Sequence, residues 1–123
     1  MNKYLVIGNP IDHSLSPLLH NYWFKKYRFF DSIYEKQKVD KEDLKKIVER
    51  IKREEIKGVN VTVPFKREIL NYIDSAPHDA QFTKSVNTLV KENNKIVGYN
   101  TDQQGFEISL EENKWVSKNK KIL

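Results

Sequence analysis

The chain has 123 residues, 38% of them hydrophobic, with a formal net charge of +5 and no cysteine. That is one domain's worth of polypeptide with apolar content for a real core, and it excludes disulfides and thiolate metal sites. No run approaches the roughly 18 consecutive apolar residues of a membrane helix. The N-terminal "MNKYLVIGNP" does not have a signal peptide's layout, which predicts a cytoplasmic protein with no membrane partner.

"KYLVIG" (3–8) is an apolar run ending in Gly and reads as a buried strand. Ser16 precedes Pro17, so a helix is expected over 17–27, with Ser16 as its N-cap and Leu18, Leu19, Tyr22 and Trp23 on its apolar side. A second strand is expected within "DSIYEKQKV" (31–39). Asp40 then caps a helix whose Leu44, Ile47, Val48 and Ile51 recur at helical spacing, with Gly58 as its stop. In "KEDLKKIVERIKREE" basic residues alternate with acidic ones, as on a solvated helix face, so the positive charge does not indicate a nucleic-acid partner.

"VNVTVP" (59–64) has the period of a strand: Val59, Val61 and Val63 face one way, Asn60 and Thr62 the other. Pro64 ends it, and "FKREILNYI" is expected to resume as a helix. "SVNTLVKENNKIVGYNTD" (85–102) reads as a β-hairpin about Asn93-Asn94, residues that tolerate positive φ. That turn pairs Val90 with Val97 and brings the Asn-Thr dipeptides at 87–88 and 100–101 together at the open end. Thr101 and Gln104 form a capping box for a helix through about 112. Strands alternating with helices predict a three-layer α/β/α sandwich, with a mainly parallel mixed sheet and an edge β-hairpin.

Polar groups gather at the strand ends and helix starts: Ser14, Ser16, Asn60, Thr62, Lys66, Asn87, Asn100 and Asp102. Ligands of open α/β sheets bind there. Hydroxyls, amides, an amine and a carboxylate suit a small polyhydroxylated ligand bearing an anionic group. They do not suit a metal, since His13, His20 and His78 are scattered. Each residue also has an ordinary reading. Ser16 caps a helix, Lys66 is a surface lysine at the unfavourable helix end, and Asp102 complements a helix dipole. Ser14 has no evident structural task, and Asn60 is disfavoured in a strand.

Four blocks, "GNPIDHSLSPLLHN" (8–21), "GVNVTVPFK" (58–66), "SVNTLV" (85–90) and "GYNTDQQGF" (98–106), closely resemble shikimate dehydrogenase in order and spacing. The resemblance is to that family's N-terminal substrate-binding domain, and it implies residue roles. Ser14 and Ser16 donate to the shikimate carboxylate. Asn60, Thr62, Asn87 and Asp102 read the ring hydroxyls. Lys66 and Asp102 flank the hydroxyl being oxidised, as catalytic residues, with Lys66 the acid/base group. The implied reaction is reversible reduction of 3-dehydroshikimate to shikimate with NADPH, a step in aromatic amino acid biosynthesis.

Two departures stand out. Lys84-Ser85 replaces the family's usual Gly-Ala, and no G-x-G-x-x-G motif occurs among four glycines. By resemblance, residues 1–123 are a substrate domain without the NADP-binding Rossmann domain. Such a chain is expected to bind shikimate but not to turn it over alone. A quinate/shikimate dehydrogenase domain and a standalone small-molecule binding remnant are the alternatives. A homodimer is compatible with either.

Overall fold

A computed structural model describes residues 1–102, in which β1 (Asn2–Gly8) pairs on one side with β2 (Ser32–Lys38) and on the other with β3 (Gly58–Val61), both in parallel. β4 (Thr88–Glu92) and β5 (Lys95–Tyr99) continue the sheet antiparallel, giving the order β2-β1-β3-β4-β5. The sheet is therefore mixed in equal parts, two parallel and two antiparallel pairings, rather than mainly parallel. The antiparallel half follows from the hairpin. Asn93 and Asn94 both adopt positive φ, 49° and 67°, and the turn sets Val90 opposite Val97 as expected.

Three α-helices join the strands: α1 (Ser16–Lys26), α2 (Leu44–Lys52) and α3 (His78–Thr83). The Asp40 N–H donates to the Asp43 carboxylate at 2.9 Å, one half of a capping box, and a 3-10 turn over Lys41–Asp43 leads into α2. α2 buries Leu44, Ile47, Val48 and Ile51, the stripe legible in the sequence. It stops at Lys52, ahead of Gly58, because Arg53 leaves helical geometry and Glu54 turns to φ 61°. Gly58 instead begins β3. "FKREILNYI" yields only a 3-10 turn over Glu68–Tyr72, and α3 is a helix the sequence pattern did not reveal. The helix expected from Thr101 through about 112, with its capping box to Gln104, lies outside the described residues beyond its first two positions.

Strand alternation sorts the sheet into two faces. Leu5, Ile7, Val59, Val61, Leu89 and Ile96 join α2, Ile56, Ile69 and Val86 in one dense core. The opposite face holds a smaller cluster of Val6, Ile11 and Tyr34, with Tyr4 and Phe24 against it. α1 lies over this second face, yet it has no fully buried residue. Leu18, Leu19, Tyr22 and Trp23, expected on its inward side, are exposed, Leu18 at 74%. α1 instead meets the sheet through Phe24, His20 and Asn21.

Candidate functional site

The sparse face carries the polar residues because Asn60 and Thr62 alternate against the valines of β3. Beyond Val61 the chain leaves the ladder, so Val63 is exposed instead of continuing the apolar row. The Thr62 N–H still donates to Ile7 O at 2.9 Å, and its side chain packs against Gly8. A Cβ at Gly8 would lie 2.5 Å from Thr62 Cγ2 and 2.9 Å from Val63 O, so only glycine fits at this crossing. Above it opens a cavity of about 230 Å³ lined by Val6, Pro10, Ile11, His13, Ser14, Ser16, Thr62 and Val63.

The two serines exchange the roles expected of them. α1 begins at Ser16 itself, with Leu15 in helical geometry at the cap position and no side-chain cap there. Ser14 Oγ accepts the Ser16 N–H at 3.3 Å, so Ser14, which had no evident structural task, helps start the helix. Its own N–H donates to Ile11 O at 3.1 Å, folding the loop back on itself. The Ser16 side chain makes no cap at the helix start and lines the cavity.

From Tyr34 a continuous run of hydrogen bonds crosses the sheet. The Tyr34 hydroxyl donates to Asn60 Oδ1 at 2.7 Å, and Asn60 Nδ2 donates to Thr88 Oγ1 at 3.1 Å. Thr88 in turn donates to Asn87 Oδ1 at 3.1 Å, where the Thr101 N–H also arrives at 3.0 Å. The two Asn-Thr dipeptides thus meet at the hairpin's open end, through Asn87 to Thr101. Asn87 and Asn100 are the two buried polar residues among those described, and Asn100 Nδ2 reaches Thr83 Oγ1 at 3.4 Å. Asp102 follows Thr101 and accepts from Lys66 Nζ at 2.9 Å. Lys66 is 34% and Asp102 62% exposed, so both heads remain open to a ligand. Lys66 is not on a helix; it sits in the turn after β3, held by the Val86 N–H donating to its carbonyl at 2.9 Å. The unfavourable helix dipole expected there is accordingly absent.

Of the predicted residues, Ser14, Ser16 and Thr62 line the cavity, Asn60 and Asn87 are knots of the network, and Lys66 and Asp102 form an ion pair at its far end. Tyr34 and Thr88 escaped the sequence reading. Tyr34 is the single buried position of β2, standing just before the polar run of residues 35–38 in an edge strand, and that contrast was the available signal. Burial pushes its phenol up to about 12, against a smaller opposing pull from the Ser16 hydroxyl. Lys84 takes φ 52°, ψ 41° at the end of α3, the left-handed geometry where glycine is unstrained. Its side chain lines a separate cavity of about 540 Å³ with Arg67, Glu68 and Gln81, away from the two serines. Among the described residues no group of His, Asp or Glu could hold a metal, and no helix is long and apolar enough to cross a membrane.

The family model for the shikimate dehydrogenase substrate binding domain matches residues 6–89. A shikimate dehydrogenase (NADP(+)) of Pelagibacter ubique is 49% identical over 120 residues, covering 98% of this chain and 45% of the relative. One of Pyrococcus furiosus is 45% identical over 88% of this chain and 39% of its own length. Among solved structures, a shikimate 5-dehydrogenase of Listeria monocytogenes in complex with shikimate and NAD superposes with a TM-score of 0.84 at 32% identity. That match covers 93% of this chain and 39% of the other. The Thermus thermophilus enzyme in complex with shikimate gives 0.82 at 32% identity, over 90% of this chain and 42% of its own. The chain thus spans less than half the length of these relatives.

Proposed function

The chain belongs to the shikimate dehydrogenase substrate-binding domain family, and from that premise we propose that it holds shikimate or 3-dehydroshikimate on the sparse face of its sheet. The observation that carries this reading is the pair of serines lining one cavity with Thr62, on the face from which Asn60 and Asn87 run by hydrogen bonds to Thr101, next in sequence to the Asp102 that pairs with Lys66. Ser14 and Ser16 hydroxyls bind the carboxylate. A hydrogen bond to a charged group contributes roughly 1.5–3 kcal/mol, so two of them make an adequate anchor. Thr62, Asn60, Asn87 and Asp102 meet the ring hydroxyls. Asn60 has its amide protons committed to Thr88 and to Asn87 O, and acts toward the ligand through its Oδ1. Ligand-bound relatives from Listeria and Thermus support the substrate class.

In the reductive direction the C3 carbonyl of 3-dehydroshikimate becomes an alcohol. Its oxygen gains negative charge as the carbon is reduced and must receive a proton. Lys66 delivers that proton and stabilises the developing alkoxide, while Asp102 holds the ammonium in place. In the oxidative direction the same amine accepts the hydroxyl proton. The curated relatives are named for NADP(+), which would take the hydride in the oxidative direction, its reduced form supplying it in the reductive one. The described residues do not fit a dinucleotide. β1 runs into Gly8, but α1 begins only at Ser16, so no helix N-terminus follows the strand across the short glycine turn that holds a pyrophosphate. We therefore assign NADP to a separate domain, with turnover requiring that domain.

Shikimate should raise the melting temperature of this chain by mass action on the folded state. Quinate should raise it less at equal concentration. No shift at millimolar shikimate with the protein folded would overturn the binding reading, and a larger shift with quinate would move the substrate to the quinate class.

A further inference from the structure

Asn60 of β3 and Thr88 of β4 are partners in the antiparallel ladder, so their side chains stand together on the sparse face of the sheet. A primary amide fits its surroundings two ways round, oxygen and nitrogen exchanged, and the choice decides what it offers a ligand. Two backbone groups make that choice here, because a backbone N–H only donates and a carbonyl only accepts.

The Thr101 N–H donates to the Asn87 side chain at 3.0 Å, which requires Oδ1 to be the atom that meets it. Thr88 Oγ1 lies 3.1 Å from the same Oδ1, so the single Thr88 hydroxyl proton goes to Asn87. Toward Asn60 that hydroxyl then has only lone pairs, and the atom meeting it at 3.1 Å must be Asn60 Nδ2. Asn87 O, 3.3 Å from the same nitrogen, makes the same demand. The Tyr34 hydroxyl on the other side imposes nothing, since a phenol donates or accepts; it follows by giving its proton to Asn60 Oδ1 at 2.7 Å. Asn60 is left with a carbonyl lone pair and no proton to give. Asn87 Nδ2 donates one proton to Thr101 Oγ1 at 3.0 Å and has the other uncommitted among the described residues.

We propose that Thr88 is a positioning residue that sets the polarity of Asn60, so that the ligand hydroxyl facing Asn60 has to donate its proton. The inference rests on the shikimate reading above and adds the direction in which one ring hydroxyl is read. A group without a proton there sets lone pair against lone pair. The amide cannot turn round to meet it without opposing Asn87 O and the Thr88 lone pair with its own oxygen.

Kd values for shikimate and for analogues with each ring hydroxyl in turn replaced by fluorine, which keeps the size but has no proton, test this. Asn60→Ala marks the position concerned, as the one where the fluorine penalty disappears. On the unsubstituted chain fluorine at that position should weaken binding about tenfold to a hundredfold, the cost of a lost and opposed hydrogen bond. Thr88→Val should cut that penalty to about threefold or less, as the released amide turns its nitrogen to the fluorine, and leave the penalties at the other positions unchanged. Thr88→Ser, which restores the hydroxyl, should restore the penalty. A purely structural role for Thr88 would weaken every ligand by one factor. Unchanged fluorine penalties in Thr88→Val would therefore overturn the inference while leaving the shikimate reading intact. Failure of the unsubstituted chain to bind shikimate would overturn both. A comparison with Thr88 intact guards against an unfolded variant. An amine at the marked position, which as an ammonium only donates, should bind the unsubstituted chain more tightly than the fluorine analogue. The reverse order would also sink the proposal.

Discussion

The two faces of the sheet are built from the same strands and do opposite work. On one, Leu5, Ile7, Val59 and Val61 meet the apolar stripe of α2 in a core whose members are almost wholly inaccessible. On the other, Val6 and Tyr34 share the surface with Asn60 and Thr62 under a helix that buries none of its residues fully. The dense face carries the hydrophobic stabilisation, at roughly 25 cal/mol per Å² of apolar surface removed from water. The sparse face gives up that gain and holds hydroxyls and amides in fixed directions, which a ligand with several oxygens requires. The difference shows how one strand can serve both ends, since period-two alternation lets Val59 and Val61 anchor the fold while Asn60 points at the site.

Three experiments press on this division. The largest effect is expected at the ion pair. When this domain is joined to the remainder of a full-length relative, Lys66→Ala should lower kcat by about 10²–10⁴, the usual contribution of a positioned acid/base group. The same change should move stability by less than about 1 kcal/mol, because a half-exposed ion pair contributes little. A rise in KM with kcat unchanged would make Lys66 a binding group only. Next comes the dense face. Ile51→Ala should cost about 2–5 kcal/mol in denaturant unfolding and leave shikimate affinity of the folded fraction unaltered. A loss of affinity in that folded fraction would show that the two faces are coupled.

The smallest effect concerns pH. The phenol of Tyr34 stands at about 12 in the folded chain against an ordinary 10.0, so the fold favours the neutral form. Its contribution is present in full below pH 10 and disappears as pH rises to about 12, a loss of about 2–3 kcal/mol. Tyr34→Phe should flatten that part of the stability profile. Identical alkaline profiles for the two proteins would mean that the phenol is not shielded as described.

The α2 stripe was readable because its four apolar residues repeat along one element, and the hairpin because Asn93-Asn94 has few other ways to be placed. The α1 face was misread. Leu18, Leu19, Tyr22 and Trp23 satisfy a helical period, but burial depends on which side of the helix meets the sheet. Phe24, His20 and Asn21 turned out to set that orientation through Tyr4 and Tyr34. The same limit applied to the serines. Ser-Pro is a strong helix-start signal, yet whether Ser16 or Ser14 accepts the first N–H depends on a single residue's dihedral angles, those of Leu15.

By itself the sequence determined the alternation that separates core from site, the turn that sets the hairpin register, and the order of the polar blocks that marks the family. These are local or periodic properties, fixed by spacing along the chain. Only the tertiary structure decided that Tyr34 of β2, Asn60 of β3, Thr88 of β4 and Thr101 beyond β5 form one hydrogen-bonded line through Asn87. Those partners lie 13 or more positions apart except at one step, and a hydrogen bond tolerates only a few tenths of an ångström. Pairing at that tolerance is set by strand order and register, which no single segment contains.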